Sequence, residues 1–500
     1  RTASFFGRAL YDYKNRYYAT LTVRADGSTK FAPGKQWGYF PAGSIAWRIS
    51  NEKWMKPIKF ISDLKLRASY GLAGNNRIGN DLWHNIYRVY SGTSAPAFGN
   101  EEYNYYQFAD QTYLYDPDLK WETTITRNIG LDFGFFRNRL SGTVDVYWNT
   151  TKDLLVPSII PNSSGYSRQM TNVGQTSNKG VEISLDAKII QTKDFQLSAN
   201  FNVAFNKNKV DKLATGETEW KTKASLSNWY GTYNYKMEVG KSMGLIYGFV
   251  NDGFYKVDDF DFDATTKKWT LKPGIPDNSS FSSGNFAFKP GAMKFKKLSD
   301  SESNLITEDD MTVIGDTNPK VTGGFGLSGN WKNLDFTAFF NYMCDFDVLN
   351  VNKLYLHSAV RRNYSNLSTD MNLANRFRYV DDAGVNVSSD PVALAALNEN
   401  AKTYSWMSVT QGITMTDLVE DGSFLRLSTL TVGYTLPKHW LRSLGVKSLR
   451  LYFSGSNLFT ITGYSGYDPE VNIQKGLTPG IDNNVTPRSR VYTVGVNLNF

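Results

Sequence analysis

"FQLSANFNVAFN", residues 195–206, alternates between apolar and polar side chains at every position but Ala204. In an extended strand Phe195, Leu197, Ala199, Phe201, Val203 and Phe205 share one face, and Gln196, Ser198, Asn200, Asn202 and Asn206 share the other. One face is oily and the other rich in amides and hydroxyls, so the fold turns on what each face meets. The pattern recurs in "SDLKLRASYG" (62–71), "NRLSGTVDVYWNT" (138–150), "NLDFTAFFNY" (333–342), "SLRLYFSGSN" (448–457) and "VYTVGVNLNF" (491–500). Period-two alternation predicts about fourteen to sixteen strands of about ten residues each, long for a soluble sheet.

The links between these segments fall into two classes. "FFRNRL", "QTKDFQ" and "NWKNLD" are tight, whereas segments of about 207–319, 344–423 and 457–489 are very long. Short turns at one rim and long loops at the other are the layout of an outer-membrane barrel, and soluble sandwiches rarely carry loops of that size. If the strand ending at Phe500 finishes on the periplasmic side, "PKHWLRSLGVKS" also faces the periplasm and the three long segments face outward, so the parity is self-consistent. We therefore expect an all-β, antiparallel transmembrane barrel over residues 1–500. Its Phe and Leu face would meet lipid, its Asn, Ser and Gln face would line a wet lumen, and closure would leave no backbone edge unpaired in hydrocarbon. The sparse helical signal includes "DPVALAALNENAK", with Asp390 as N-cap and Pro391 at the first position, a short helix within an outer loop.

Composition agrees. The chain is 41% hydrophobic, and no run of about 18 apolar residues could span a bilayer as a helix, a fact silent about barrels because their strands alternate. Its 12 Trp, 30 Tyr and 31 Phe suit membrane-interface girdles or surfaces that bind sugars and peptides. The net charge of +8 is scattered among 47 acidic residues without a basic stripe, which argues against nucleic acid as a partner. One cysteine, Cys344, allows no internal disulfide and no Cys-rich metal cluster. The opening residues show no signal-peptide pattern and already read as strand, so we expect a longer chain upstream.

Residues 7–55, "GRALYDYKNRYYATLTVRADGSTKFAPGKQWGYFPAGSIAWRISNEKWM", followed by "DLKLRASYGLAGNNRIGN", closely resemble the SusC/RagA-like TonB-dependent transporters. The likeness continues in order through "LKWETTITRNIGLDFGFFRNRLSGTVDVYWNTTKDLL", "NVGQTSNKGVEISL", "TVIGDTNPKVTGGF", "DGSFLRLSTLTVGYTLP" and "LRLYFSGSNLFTITGYSGYDPE". The resemblance implies a 22-strand barrel occluded by a plug. It implies import of an oligosaccharide or peptide driven through TonB, with a SusD-like lipoprotein as outer lid. On that reading the plug, the TonB-contacting segment and roughly the first six to eight strands lie upstream. The other readings are a passive porin and a soluble glycan-binding surface protein.

The final strand resembles an assembly signal for the outer-membrane insertion machinery, carried by Thr493, Gly495, Leu498 and Phe500. Candidate contacts for substrate or lid are the aromatic runs Trp229, Tyr230, Tyr233 and Tyr235, and Tyr103, Tyr105 and Tyr106, whose flat rings suit sugar faces and peptide bonds. "GFGLSG" (324–329) fits a dinucleotide pattern, but the following residues continue as strand, and small residues for curvature or close packing are the expectation. Asp259, Asp261 and Asp263 are followed by Ala264 and Thr270 where a calcium loop has Gly and Glu; at "SDSESNLITEDD" (299–310) the resemblance implies a calcium-loop-like stretch, but Leu305 stands in the place of its Gly and the carboxylates are thinned. Solvated loops are the reading for both. His84, His357 and His439 lie far apart and in no catalytic motif, so no catalytic residue, cofactor or metal site is expected.

Overall fold

The computed structural model describes residues 1–85, 87–90, 106–109, 113–214, 216–224, 226, 233–281, 288–357, 366–407, 412–441, 445–470 and 476–500. Thirteen strands form one continuous sheet in which every neighbour pair is antiparallel. They are β1 (Thr2–Tyr13), β2 (Tyr17–Ser28), β3 (Trp37–Arg48), β4 (Ile61–Asn75), β5 (Glu122–Phe135), β6 (Leu140–Lys152), β7 (Gln175–Gln191), β8 (Phe195–Lys212), β9 (Val321–Trp331), β10 (Leu334–Cys344), β11 (Phe424–Thr435), β12 (Ser448–Thr462) and β13 (Val491–Asn499). Thirteen is below the fourteen to sixteen expected, because alternation also marks short strands outside this wall. Phe260–Asp263 and Lys268–Leu271, for example, pair with each other instead of joining it.

Register explains why the opening stretch is oily on one side. On β8, Phe201 stands opposite Leu185 of β7 and Phe325 of β9, and Val203 opposite Ile183 and Gly323. On the other face Asn202 stands opposite Ser184, and Gln196 opposite Asn330. Directly opposed residues of an antiparallel pair share a face, so each strand's apolar side continues its neighbour's. The ten steps from Phe195 to Phe205, at about 3.3 Å each and tilted by about 40°, climb about 25 Å, the height of a barrel's apolar band. Near the tight turns the band ends in exposed rings, Phe60, Phe136, Trp331 and Trp440, and towards the other rim in Tyr70 and Trp148.

Connections sort by rim. The described residues of the links 14–16, 49–60, 136–139, 192–194, 332–333 and 436–447 lie at one end of the wall, and those of 29–36, 76–121, 153–174, 213–320, 345–423 and 463–490 at the other. Two of the tight turns open on Lys-Asn, with Lys14, Asn15 and Lys332 in the left-handed region that a hairpin's twist demands.

At the far rim the long segments fold together into a cap with its own core. Tyr235, Phe249, Phe295, Leu349, Leu354, Met415 and Ile481, drawn from three different segments, are fully buried in one cluster. Asp347–Asn350 pairs with Val419–Asp421 and, in parallel, with Ile481–Asp482, stitching the last two long segments together. Tyr235 Oη donates to the Pro479 carbonyl at 2.6 Å, and Asn234 Nδ2 to Thr414 Oγ1 at 2.7 Å, tying in the first. The helix α1 spans Val351–His357 and α2 spans Pro391–Leu397, the latter capped by Asp390, whose carboxylate accepts from the Val392 and Ala393 N–H groups. No helix among the described residues is long and apolar enough to cross a membrane, which says nothing of strands.

Candidate functional site

The wall's polar face carries its charges as matched sets. Arg67 of β4 reaches Asp132 of β5 at 2.8 Å and Asp145 of β6 at 3.1 Å, with Lys65 3.6 Å from Asp132. Gly130 lies directly between Arg67 and Asp145 in the register, and a Cβ there would collide with the guanidinium. Arg450 of β12 likewise lies across Gly433 to grip Asp335 of β10 with two bonds of 2.9 and 2.5 Å. A glycine on the intervening strand thus lets an arginine span three strands. These pairs are partly water-exposed, so they order the surface more than they stabilise it. Between them lie amides and hydroxyls, such as Tyr147 Oη donating to Asn206 Oδ1 at 3.0 Å.

Where wall meets cap, the environment is drier. Arg426 of β11, on the polar face, is 2% exposed. Its guanidinium contacts Asp468 at 2.5 Å and Glu470 at 3.0 Å, both on the last long segment, and donates to Thr460 Oγ1 at 3.0 Å. Arg488 holds the other oxygen of Glu470 at 2.8 Å. The alternation of "SFLRLSTL" marks Arg426 as a polar-face residue, but nothing local in the sequence ties it to a carboxylate on a loop.

The "SDSESNLITEDD" stretch encloses a cation of its own. The Lys297 ammonium donates to Ser299 Oγ at 2.7 Å, the Leu305 carbonyl at 2.9 Å and the Asp310 carboxylate at 3.1 Å. Asp310 is fully buried and also accepts from the N–H groups of Leu298, Ser299 and Thr307. Burial alone would raise its pKa, but the three N–H groups and Lys297 outweigh that and hold it at about 2. This carboxylate is therefore buried and satisfied, where the sequence suggests a solvated loop. Asp263 closes a turn by accepting from the Thr265 N–H at 2.8 Å and Thr266 Oγ1 at 2.6 Å, and Asp259 accepts from the Lys256 N–H at 2.9 Å. Among the described residues no three His, Cys, Asp or Glu side chains converge on a cation position.

The aromatic candidates separate. Tyr235 is buried in the cap core instead of lying on its surface, and Tyr233 is half-buried. Trp229, Tyr230, Tyr103 and Tyr105 lie outside the described residues, and Tyr106 opens the short strand Tyr106–Ala109. Thr493, Gly495 and Leu498 lie on β13, opposite Ser454, Tyr452 and Leu449, and Phe500 is exposed. "GFGLSG" lies within β9, fully paired on both sides, with no helix after it. Of the histidines, His357 is buried against Asp370 at 2.8 Å, and burial lowers its pKa. His84 is exposed beside Asp81.

Three comparisons with known proteins agree. The family model described as TonB dependent receptor-like, beta-barrel matches residues 1–271. "TonB-dependent receptor P3" of Formosa agariphila is 32% identical over 503 residues, covering 99% of this chain and 45% of the relative. "TonB-dependent receptor SusC" of Bacteroides thetaiotaomicron is 31% identical over 509 residues, covering 99% and 43%. The solved "Structure of the RagAB peptide transporter" superposes with a TM-score of 0.74 at 27% identity, covering 100% of this chain and 48% of that one. The chain thus spans less than half the length of the curated relatives it matches.

Proposed function

This chain belongs to the TonB-dependent receptor β-barrel family of the bacterial outer membrane, and from that premise we propose that it forms barrel wall and outer cap of an active importer. The cargo is a large polar nutrient, an oligosaccharide or a peptide. The force is delivered through TonB by a segment outside residues 1–500, and a SusD-like lipoprotein sits over the capped rim. The observation that carries this reading is the asymmetry of the wall, apolar on one face, polar and charge-matched on the other, with a folded cap at one rim only. The apolar face suits lipid, and the polar face offers a wide surface of amides, hydroxyls and already paired charges, which suits a neutral, hydrogen-bonding solute. The unpaired edges of β1 and β13 would be costly in hydrocarbon, so the ring is completed by further strands. The segments of about 207–319, 344–423 and 457–489 are the long extracellular ones, the link 76–121 shares their rim, and Trp229, Tyr230, Tyr233, Tyr103, Tyr105 and Tyr106 are the rings that meet cargo or lid.

Uptake of a labelled oligosaccharide or peptide library by cells carrying the full-length protein tests this. Uptake should disappear in cells lacking TonB, and planar bilayers holding the purified protein should stay closed. Undiminished uptake without TonB together with steady conductance would establish a passive pore instead. Alanine at Trp229 and Tyr230 should weaken cargo or lipoprotein binding, and unaltered affinity for both would remove them as contacts. Deletion of Phe500 should reduce the heat-modifiable folded fraction in outer membranes, and unchanged assembly would discard the signal.

A further inference from the structure

The outward face of the wall carries cations that nothing in the described structure neutralises. Tyr70 of β4 stands opposite Arg127 of β5, Trp148 of β6 opposite Lys179 of β7, and Lys179 opposite Lys207 of β8. Arg127 Nη1 donates to the Trp148 carbonyl at 3.4 Å, and its guanidinium lies 5.9 Å from the Tyr70 ring centroid, so these five side chains form one row. One step towards the tight turns the face is wholly apolar, with Ile129, Val146, Val181 and Phe205 in register. One step towards the cap it turns polar on β6, β7 and β8, with Thr150, Ser177 and Lys209, while β4 and β5 place Leu72 and Ile125 in that step. The row therefore sits where hydrocarbon gives way to headgroups.

The cations of the polar face and the cap described above, Arg67, Arg426, Arg450 and Lys297, each have a carboxylate. Among the described residues Arg127, Lys179 and Lys207 form no ion pair. Beneath the row lies a groove of about 840 Å³, lined by Leu21, Ile45, Tyr70, Ile129 and Trp148 with Arg127 at its edge. It continues along the wall into a second depression of about 470 Å³ that shares Ile45 and ends at Trp47 and Tyr17. On the other side of Trp148 a further groove of about 750 Å³ runs beside Val181 and Phe205, edged by Lys179, Lys207 and Lys320, with Asp316 the one carboxylate in its lining.

We propose that this face is a binding site for an anionic lipid of the outer leaflet, its acyl chains in the grooves beside Trp148 and its phosphate on Arg127, Lys179 and Lys207. Charge complementarity selects the occupant. A zwitterionic or neutral lipid fills the grooves equally well but leaves three cations unmatched, whereas each basic residue near a headgroup plane favours an anionic lipid. The site faces away from the lumen and is independent of transport.

The test compares two lipids with identical chains, phosphatidylglycerol and phosphatidylcholine, mixed with the full-length protein in detergent and read as lipid retained per protein by native mass spectrometry. The native protein should retain phosphatidylglycerol about tenfold over phosphatidylcholine, and the Arg127→Gln/Lys179→Gln/Lys207→Gln variant should retain the two about equally. Gly43→Leu, which fills the floor of the larger groove, should lower retention of both. Equal retention of the two lipids by the native protein overturns the proposal without reference to any variant. A preference undiminished in the triple variant, folded by heat-modifiable migration, overturns it as well, and unchanged retention in Gly43→Leu overturns the seating of the chain.

Discussion

The wall and the cap obey opposite rules for the same side chains. Phe201, Ile129 and Phe453 on the wall are substantially exposed, while Phe295, Leu349 and Met415 in the cap are fully buried. A wall strand needs no hydrophobic interior, because its apolar face is solvated by lipid and its order comes from an unbroken ladder of backbone hydrogen bonds. The cap stands in water, so its strands of two to five residues are ordered by burying aromatic and aliphatic side chains at about 25 cal/mol per Å². Whether an exposed phenylalanine is a fault or a design feature depends on which solvent its segment occupies.

The strongest way to break that comparison is at the seam. Arg426→Ala should destabilise the contact between wall and cap by about 3–5 kcal/mol, since it leaves Asp468 buried and uncompensated. Protease accessibility of residues 463–490 should rise while heat-modifiable migration persists, and unchanged accessibility would mean that the seam lies elsewhere. Within the cap, Phe295→Ala should cost about 3–5 kcal/mol through cavity formation. Hydrogen exchange would show it as faster exchange in 213–320 and not in β8, and equal acceleration in both would deny the cap a separate core. On the wall, Phe201→Arg should cost about 2–4 kcal/mol in lipid, while Asn202→Ala, one residue along and facing the lumen, should cost under about 0.5 kcal/mol. Equal denaturant midpoints for the two variants would erase the distinction between the faces.

The smallest effect concerns acid. Asp310 has its folded pKa held at about 2, below the ordinary carboxylate value, so its contribution is fully present above about pH 4 and is lost as pH falls from there towards 2. The cap should lose of the order of 1–2 kcal/mol over that window, read as protease sensitivity, and Asp310→Asn should flatten the dependence. A native profile already flat between pH 4 and 2 would show that the Lys297 enclosure contributes nothing.

Much of the wall is legible from residues alone because its determinants are local. Alternation from Phe195 to Phe205 specifies a strand and both its faces, the tight links at 135–140, 191–196 and 330–335 give the rim, and Asp390 with Pro391 announces α2. The cap is not legible in that way. "SNWYGTYNYKM" reads as a run of surface rings, yet Tyr235 is inside, bonded to Pro479 across 244 residues of sequence. Leu349 meets Ile481, Asn234 meets Thr414, and Arg426 meets Asp468, and none of these partners is implied by its neighbours in sequence.

What the chain's order of residues determined by itself is the two-faced wall, because a period of two is written into every few residues and lipid reads it strand by strand. Which loop residues are buried, which carboxylate each arginine takes and where the outward cations fall into a row was decided only by tertiary structure. Burial and charge pairing depend on distances between segments that lie from tens to more than two hundred residues apart, and those distances exist only once the strands have fixed their register.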